Sequence, residues 1–318
     1  MTDPLWIRNS LAVTRTAPQE LHVLTTVYPE TDALNAGGQL LCHIADSEGL
    51  TQSVLSTARP LAAMWRSPRK HLWLGSSDGF VWTTANLPWN ITENETFVEG
   101  TRWNWVSMPL PELEGKSRKP NITAIWGTSD SNVFFATASG AIYRWNGQSW
   151  SVSVVVRGNS LTKIHGVSPN NAYAIGYGPT IVHWNGETWR RFDTPGLDTD
   201  ITILTGIAVQ KSGNAYAVTN RGQVLARQGA QFIVVDRADA WFTGLVAWKG
   251  VLAASSTTGA WLYSDTGGLR AIKDNFSATD VMVVQNELHF IESDQFKGPA
   301  VIEYQAKRAE NAWQRLIF

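Results

Sequence analysis

The sequence contains six histidines and one cysteine, the residue types that most often carry metal or nucleophilic chemistry. Transition-metal sites use clustered histidines, cysteines or carboxylates, often two or four positions apart on one element. No two histidines have either spacing, and a lone Cys42 excludes an internal disulfide and a cysteine-based zinc cage. We therefore expect no bound metal and no cofactor. The histidines are His22, His43, His71, His165, His183 and His289.

Catalytic motifs of hydrolases are also missing from the sequence. No G-x-S-x-G segment provides a nucleophile elbow, and the arginines are too scattered to match the carboxylate clamp of a sialidase. Asp198 and Asp200, in the segment DTPGLDTD, have oxygen ligands suited to calcium, but solvated loop acids are the favoured interpretation. The residues alone therefore indicate no reaction.

Composition limits the classes of partner. The 318 residues carry a net charge of −1, without the basic clusters that a phosphate backbone requires. No apolar run reaches the length of a membrane span, and the first residues lack the pattern of a secretory signal. We expect a cytoplasmic protein with neither a nucleic-acid nor a membrane partner.

The elements that position these residues are indicated by an internal repeat. Residues 122–156 and 161–193 align with Asn-Gly and the flanking tryptophans in register, and a weaker copy begins at residue 201. Each copy contains four short runs rich in Val, Ile, Phe, Tyr and Trp, separated by turn residues, which predicts a four-stranded antiparallel meander. Trp145-Asn146-Gly147 and Trp184-Asn185-Gly186 mark the turn between the third and fourth strands.

A period of about 40 residues with four strands per copy predicts an all-β propeller, because stacked blades bury both faces of each sheet. We predict one domain of about seven four-stranded antiparallel blades. Their expected boundaries are 5–57, 58–110, 120–157, 160–194, 200–237, 240–274 and 278–318. The sequence contains 16 tryptophans, which we expect to fill the wedges between blades. The repeat assigns five of them to this role: Trp126, Trp145, Trp150, Trp184 and Trp189.

The segment from Trp126 to Trp150 resembles the W-N-G or W-D-G propeller repeat of bacterial proteins. The resemblance extends over residues 61–275 and weakens towards both ends. It implies a propeller of about seven blades. It implies little about activity, since such repeats serve proteins of many roles.

Propeller enzymes place their acids, bases and metals at the mouth of the central channel. The loops there join the second and third strands of a blade, or one blade to the next. Seven residues of this chain are predicted to lie on those loops: Asp78, Tyr177, Asp198, Asp200, Arg221, Asp294 and Phe296.

An insertion interrupts the second copy at residues 87–101, where a short turn is expected. We expect it to lie outside the sheet, on the face opposite the inter-blade loops. Exposed aromatic and acidic residues suit recognition of a basic protein surface. An ordinary surface loop that packs its own tryptophan is the alternative. The candidate contacts are Trp89, Glu93, Glu95, Phe97 and Glu99.

These observations favour a non-enzymatic propeller that binds another protein. The bacterial resemblance suggests an immunity or inhibitor protein that occludes a toxin or other effector. A propeller lectin with sugar pockets at Trp145 and Trp184 is the alternative, although that pattern fades around the ring. A hydrolase would require loop carboxylates such as Asp78, Asp200 and Asp294 to converge at the channel mouth.

Overall fold

A computed structural model describes residues 6–29, 36–44, 50–89, 96–98, 103–113, 119–292, 300–304 and 313–317. Across these ranges every regular element is a β-strand. The same ranges contain no helix with the length and apolar character needed to cross a bilayer.

The first two blades contain nine strands. Blade 1 comprises β1 (Trp6–Ala17), β2 (Glu20–Pro29), β3 (Gly37–Ile44) and β4 (Thr51–Thr57). Blade 2 comprises β5 (Leu61–Arg66), β6 (Leu72–Ser76), β7 (Phe80–Thr83) and β9 (Val106–Pro109). The remaining strand, β8 (Thr96–Phe97), belongs to the insertion in blade 2.

Blades 3 to 5 have four strands each. Blade 3 comprises β10 (Ile122–Ser129), β11 (Asn132–Thr137), β12 (Ala141–Trp145) and β13 (Trp150–Val155). Blade 4 comprises β14 (Leu161–Ser168), β15 (Asn171–Gly176), β16 (Thr180–Trp184) and β17 (Trp189–Phe192). Blade 5 comprises β18 (Leu204–Val209), β19 (Ala215–Thr219), β20 (Gln223–Gln228) and β21 (Gln231–Arg237).

The last two blades follow the same order. Blade 6 comprises β22 (Phe242–Trp248), β23 (Val251–Ser256), β24 (Gly259–Ser264) and β25 (Gly268–Asp274). Blade 7 comprises β26 (Ala278–Val284), β27 (Glu287–Glu292), β28 (Ala300–Tyr304) and β29 (Trp313–Ile317). The predicted all-β propeller with seven four-stranded antiparallel blades is confirmed.

The inner strand of each blade lines a central channel, and apolar clusters fill the seams between neighbouring blades. The tryptophans of the repeat lie in these seams, as predicted. Trp145 and Trp150 pack between blades 2 and 3, whereas Trp126, Trp184 and Trp189 pack between blades 3 and 4. The many tryptophans of the sequence therefore stabilise the contacts between neighbouring blades.

Close packing at these seams also explains the glycine that follows Trp126 in the repeat and its counterpart in the next blade. The ring of Trp126 lies over Gly166 so closely that a β-carbon there would approach the indole within 2.7 Å and the Asn171 carbonyl within 2.5 Å. Only a residue without a side chain fits at this position.

Substituting Gly166→Ala is expected to lower the free energy of unfolding by about 1–3 kcal/mol, because the added methyl overpacks a rigid seam. Urea unfolding followed by tryptophan fluorescence measures the change. Gly267→Ala is the control, since a β-carbon there meets only the flexible Ser264 hydroxyl, at 2.9 Å. Equal midpoints for the two variants would contradict the packing argument.

The two W-N-G turns differ in detail from a two-residue hairpin turn. Trp145 pairs with Trp150, so the loop between them has four residues, and only Gly147 has a positive φ, of 96°. The Asn146 side chain instead accepts hydrogen bonds from the Gln148 and Ser149 amides, at 2.9 and 2.8 Å. Asparagine therefore stabilises the loop through its side-chain oxygen.

Among the described strands the ring closes without exchange between the chain ends, because blade 7 is formed by four consecutive C-terminal strands. Val13, Leu21 and Val23 of blade 1 pack against three apolar residues of blade 7. Arg15 adds an ion pair with Glu303, whose side chains approach within 3.6 Å. The blade 7 residues in this closing seam are Val284, Ile291 and Val301.

The insertion of blade 2 does not follow the prediction that it lies on the face opposite the inter-blade loops. Its strand β8 pairs with β4 and forms a fifth, outermost strand of blade 1. The outer edge of a sheet has unpaired amide and carbonyl groups, which β8 satisfies over two residue pairs. The insertion therefore connects blade 2 to the perimeter of blade 1.

Candidate protein-interaction face

One face of the ring, here called the inter-blade face, is formed by the inter-blade loops and the turns between second and third strands. A backbone hydrogen bond recurs on it, from the turn of a blade to the loop that precedes the same blade. The bond lengths are 2.9 Å for Tyr177 to Ser160, 3.0 Å for Asn220 to Ile203 and 3.1 Å for Thr257 to Trp241. These bonds hold the loops as a rigid platform.

Three large apolar side chains are exposed on this platform. Tyr177 is 47% exposed, Ile201 is 47% exposed and Trp241 is 62% exposed. We call these three residues, two of which are aromatic, the aromatic arc. Neighbouring apolar side chains that are exposed together are typical of interaction sites, whereas singly scattered ones are common on any protein surface.

Backbone contacts connect the loops that carry the arc. Tyr177 forms an isolated β-bridge with Ile203, two residues after Ile201. The side-chain amide of Asn220 donates to the Ile201 carbonyl at 3.2 Å, which connects that loop to the turn of blade 5. Gly222 of the same turn packs against the backbone of Ala238 and Ala240, directly before Trp241. The arc therefore runs along adjoining loops of blades 4, 5 and 6.

Charged residues predicted at the channel mouth flank the arc. Asp198, Asp200 and Arg221 are exposed on the same loops and turns. Asp198 accepts the Asp200 amide at 2.9 Å, so its carboxylate stabilises its own loop. Exposed charges of both signs therefore lie beside the arc.

Asp78 lies elsewhere on the ring and has a structural role. Its carboxylate pairs with Arg59 and accepts a hydrogen bond from Ser76 at 2.6 Å. The Arg59 guanidinium also lies 3.7 Å above the centre of the Phe80 ring. Asp78 therefore belongs to the turn of blade 2, whereas Asp200 lies in the loop before blade 5.

Several predicted residues lie outside the part of the chain that the structure describes. They are Glu93, Glu95, Glu99, Asp294 and Phe296. Phe97 is placed only through the backbone of β8.

Trp89 corrects the prediction of an exposed anchor on the insertion. It is 5% exposed and packs against Trp73, Trp145 and Trp150 in the seam between blades 2 and 3. Burial in an aromatic cluster stabilises the fold more than exposure to water would. Trp89 is therefore a core residue, as in the surface-loop alternative.

Trp145 and Trp184 are likewise buried, at 2% and 4% exposure. The Trp184 indole donates to the Pro169 carbonyl at 2.8 Å, and the Arg144 guanidinium lies 5.4 Å from its ring centre. Neither tryptophan presents a ring face to a sugar. The pockets proposed for a lectin are therefore not formed at these positions.

The central channel contains a cavity of about 180 Å³ with mostly apolar walls. An ion pair between Lys163 of blade 4 and Asp280 of blade 7 crosses it. His165 lies on the same wall, and its Nδ1 accepts the Val209 amide at 3.2 Å. Burial lowers the pKa of His165 to about 4, which leaves the ring neutral near pH 7.

The repeat pattern of the sequence does not mark two members of the aromatic arc. Ile201 and Trp241 lie in loops that differ from blade to blade, so no repeated position marks them. The sequence signal for Trp241 is a tryptophan placed directly before the inner strand of one blade. The described parts of the inter-blade loops contain none of the six histidines.

No family model and no curated protein matches the sequence. Solved structures do match its fold. The WD40 propeller domain of Doa1 is 14% identical, with a TM-score of 0.68 over 96% of this chain and 99% of that one. A catalytically inactive virginiamycin B lyase from Staphylococcus aureus with quinupristin is 9% identical, with a TM-score of 0.67 over 92% and 94%.

A third similar structure is YCF48 bound to D1 peptide. It is 14% identical, with a TM-score of 0.55 over 81% of this chain and 82% of that one. At such identities the likeness shows the fold alone. What this chain shares with these proteins is the β-propeller fold, which serves a lyase in one of them and a peptide-bound protein in another.

Proposed function

We propose that this chain is a non-enzymatic, cytoplasmic protein-binding propeller that docks its partner on the inter-blade face. The observation that carries the proposal is the aromatic arc, with Trp241 as its most exposed member at 62%. Aromatic side chains at the centre of an interface provide a large share of binding energy.

The surroundings of the arc support a protein partner. The platform is held by backbone hydrogen bonds, so little ordering is needed on binding. Exposed acidic and basic residues flank the apolar centre, the usual arrangement of core and rim at an interface. The similarity to a WD40 domain and to a peptide-bound propeller agrees with such a role.

A more specific form of the proposal is an immunity or inhibitor protein of a bacterium. A rigid disc with an apolar arc on one face can cover the active site of a toxin or another effector enzyme. The resemblance to a bacterial propeller repeat supports this form.

Photo-crosslinking tests the proposal in cells of the natural host. A photoreactive amino acid in place of Trp241 is expected to give one discrete protein adduct, because the side chain contacts the partner. The same amino acid in place of Val283, 39% exposed near the opposite face, is the control. Adducts at Val283 alone would overturn the proposed binding face.

Once the partner has been identified, Trp241→Ala is expected to weaken its binding to the propeller by about 30-fold or more. A loss of this size is typical of an interface hot spot. Val283→Ala is expected to bind like the unchanged chain. Isothermal titration calorimetry measures both. If the partner is an enzyme, its stoichiometric inhibition by the propeller, abolished by Trp241→Ala, supports the immunity form.

A carbohydrate ligand is the alternative, and it would have to stack on Trp241, since Trp145 and Trp184 are buried. Glycan-array binding that is lost in Trp241→Ala, without any protein adduct, would favour the lectin function.

A further inference from the structure

Three side chains of metal-ligand type lie together on blade 7. Glu287 and His289 are two residues apart on β27, so they point to the same face of the sheet. Glu303 on β28 lies directly opposite His289 in the antiparallel register. One potential ligand atom from each residue lies within 4.8 Å of the other two.

The cluster is largely removed from water. His289 is 0% exposed and Glu303 is 3% exposed, whereas Glu287 is half-buried at the edge. His289 Nε2 lies 3.7 Å from a Glu303 oxygen and makes no hydrogen bond, although the nitrogen is fully buried. A buried ring nitrogen without a hydrogen bond is rare in folded proteins and requires an explanation.

The other ring nitrogen determines which tautomer suits this position. His289 Nδ1 lies 3.4 Å from the Glu287 carbonyl, an acceptor, so the proton belongs on Nδ1. Nε2 then directs its lone pair towards the carboxylate. Metal-bound histidines usually have this arrangement, with the second nitrogen donating to a carbonyl or carboxylate.

Arg15 of blade 1 partly balances the charge of the cluster. Its guanidinium lies 3.6 Å from Glu303 across the closing seam, and its Nε, also buried, makes no hydrogen bond. The contact is therefore a long ion pair that a more highly charged cation can replace.

We propose that Glu287, His289 and Glu303 bind a divalent transition-metal ion such as zinc. One imidazole nitrogen and two carboxylates form a borderline ligand set, which favours zinc over magnesium or calcium. Three protein ligands leave the fourth position for water or another group. Bound metal would join β27 to β28 beside the closing seam and so stabilise the ring.

Titration of the chelator-treated full-length chain with zinc chloride tests the site by calorimetry and thermal unfolding. We expect one zinc ion per chain and a higher Tm when zinc is present. His289→Gln is expected to abolish the binding, and Glu287→Gln to weaken it by about tenfold or more. Arg15→Met is expected to bind zinc more tightly, because the competing cation is absent.

His71→Gln is the matched control, since His71 and Asp130, 2.7 Å apart, are another histidine–carboxylate pair. It is expected to bind zinc like the unchanged chain. Binding that is lost in His71→Gln and kept in Glu287→Gln would overturn the proposal, as would the absence of zinc binding at equimolar concentration. If the His289→Gln variant does not fold, zinc binding by the Glu287→Gln variant decides the result, because Glu287 is only half-buried. The test is independent of the proposed protein partner.

Discussion

Deleting residues 313–318 is expected to remove most of the net stability of the propeller. The deletion takes away β29, which pairs with β28 along all five of its described residues. It also removes Trp313, whose ring centre lies 5.7 Å from that of Phe290 and 4.5 Å from that of Tyr304. Arg315, which pairs with the buried Glu292, is lost as well.

The expected loss is large relative to a typical stability of about 5–15 kcal/mol. Removing a buried tryptophan costs about 3–5 kcal/mol, and the half-buried Trp313 somewhat less. Truncation adds an unpaired β28 edge and an unpaired Glu292 in a buried setting. The deletion also removes Leu316, which packs against the seam that closes the ring between blades 7 and 1.

Urea unfolding and size-exclusion chromatography measure this effect. The truncated chain is expected to aggregate or to unfold at a much lower urea concentration than the full chain. Trp313→Ala is expected to show an intermediate loss, whereas Ile317→Ala, at a site 59% exposed, is expected to change little. A truncated chain with the midpoint of the full chain would show that β29 is dispensable.

Acidification of the metal-free chain from pH 7 to pH 5 is expected to destabilise the fold by about 4 kcal/mol through His165 and His289, with a smaller addition from the half-buried His183. Burial lowers the pKa of His165 to about 4. Burial also lowers the pKa of His289 to about 4, with Arg15 acting in the same direction and Glu303 against it. In the unfolded chain both titrate near pH 6.5.

The sign follows from proton binding. Between about pH 6.5 and pH 4 the unfolded chain binds protons that the folded chain does not, so stability falls as the pH falls. His165 shows the structural reason, because its Nδ1 accepts the Val209 amide and a proton there would oppose a second donor. His183 contributes in the same direction, with a pKa lowered to about 4 by burial and by the charge of Arg227.

Urea midpoints at pH 7.0, 6.0 and 5.0 and constant ionic strength measure the acid effect. His165→Gln is expected to reduce the loss between pH 7 and pH 5 by about 2 kcal/mol, since one proton-binding difference disappears. A midpoint that does not change over this range would refute the assignment of neutral, buried histidines.

The fold could be predicted from the sequence because its signals are local and repeated. Trp145-Asn146-Gly147 and its copy at residues 184–186 fix the third and fourth strands of two blades, and the period then locates the remaining copies. The first blade has no such signal, yet its strands follow from their apolar runs. The last copy, predicted at residues 278–318, ends in the strand β29, whose side chains are partly in water because it is the outer strand of its blade.

The candidate site could be predicted only in part, because it depends on loops that do not repeat. Tyr177 was identified from its turn, whereas Trp241 required the three-dimensional order of neighbouring loops. Trp89 looked exposed because the length of an insertion does not reveal where its chain returns to the core. Glu303 joins His289 through the β27–β28 register, which the divergent last copy does not specify.

The absence of strand exchange between the chain ends has a consequence for synthesis on the ribosome. Val13, Leu21 and Val23 leave the ribosome well before their packing partners in blade 7, which come some 260 residues later. At about 5–20 residues per second, translation leaves this apolar face uncovered for roughly 10–50 s. During that interval the nascent chain depends on chaperones or on fast folding of its early blades to avoid aggregation.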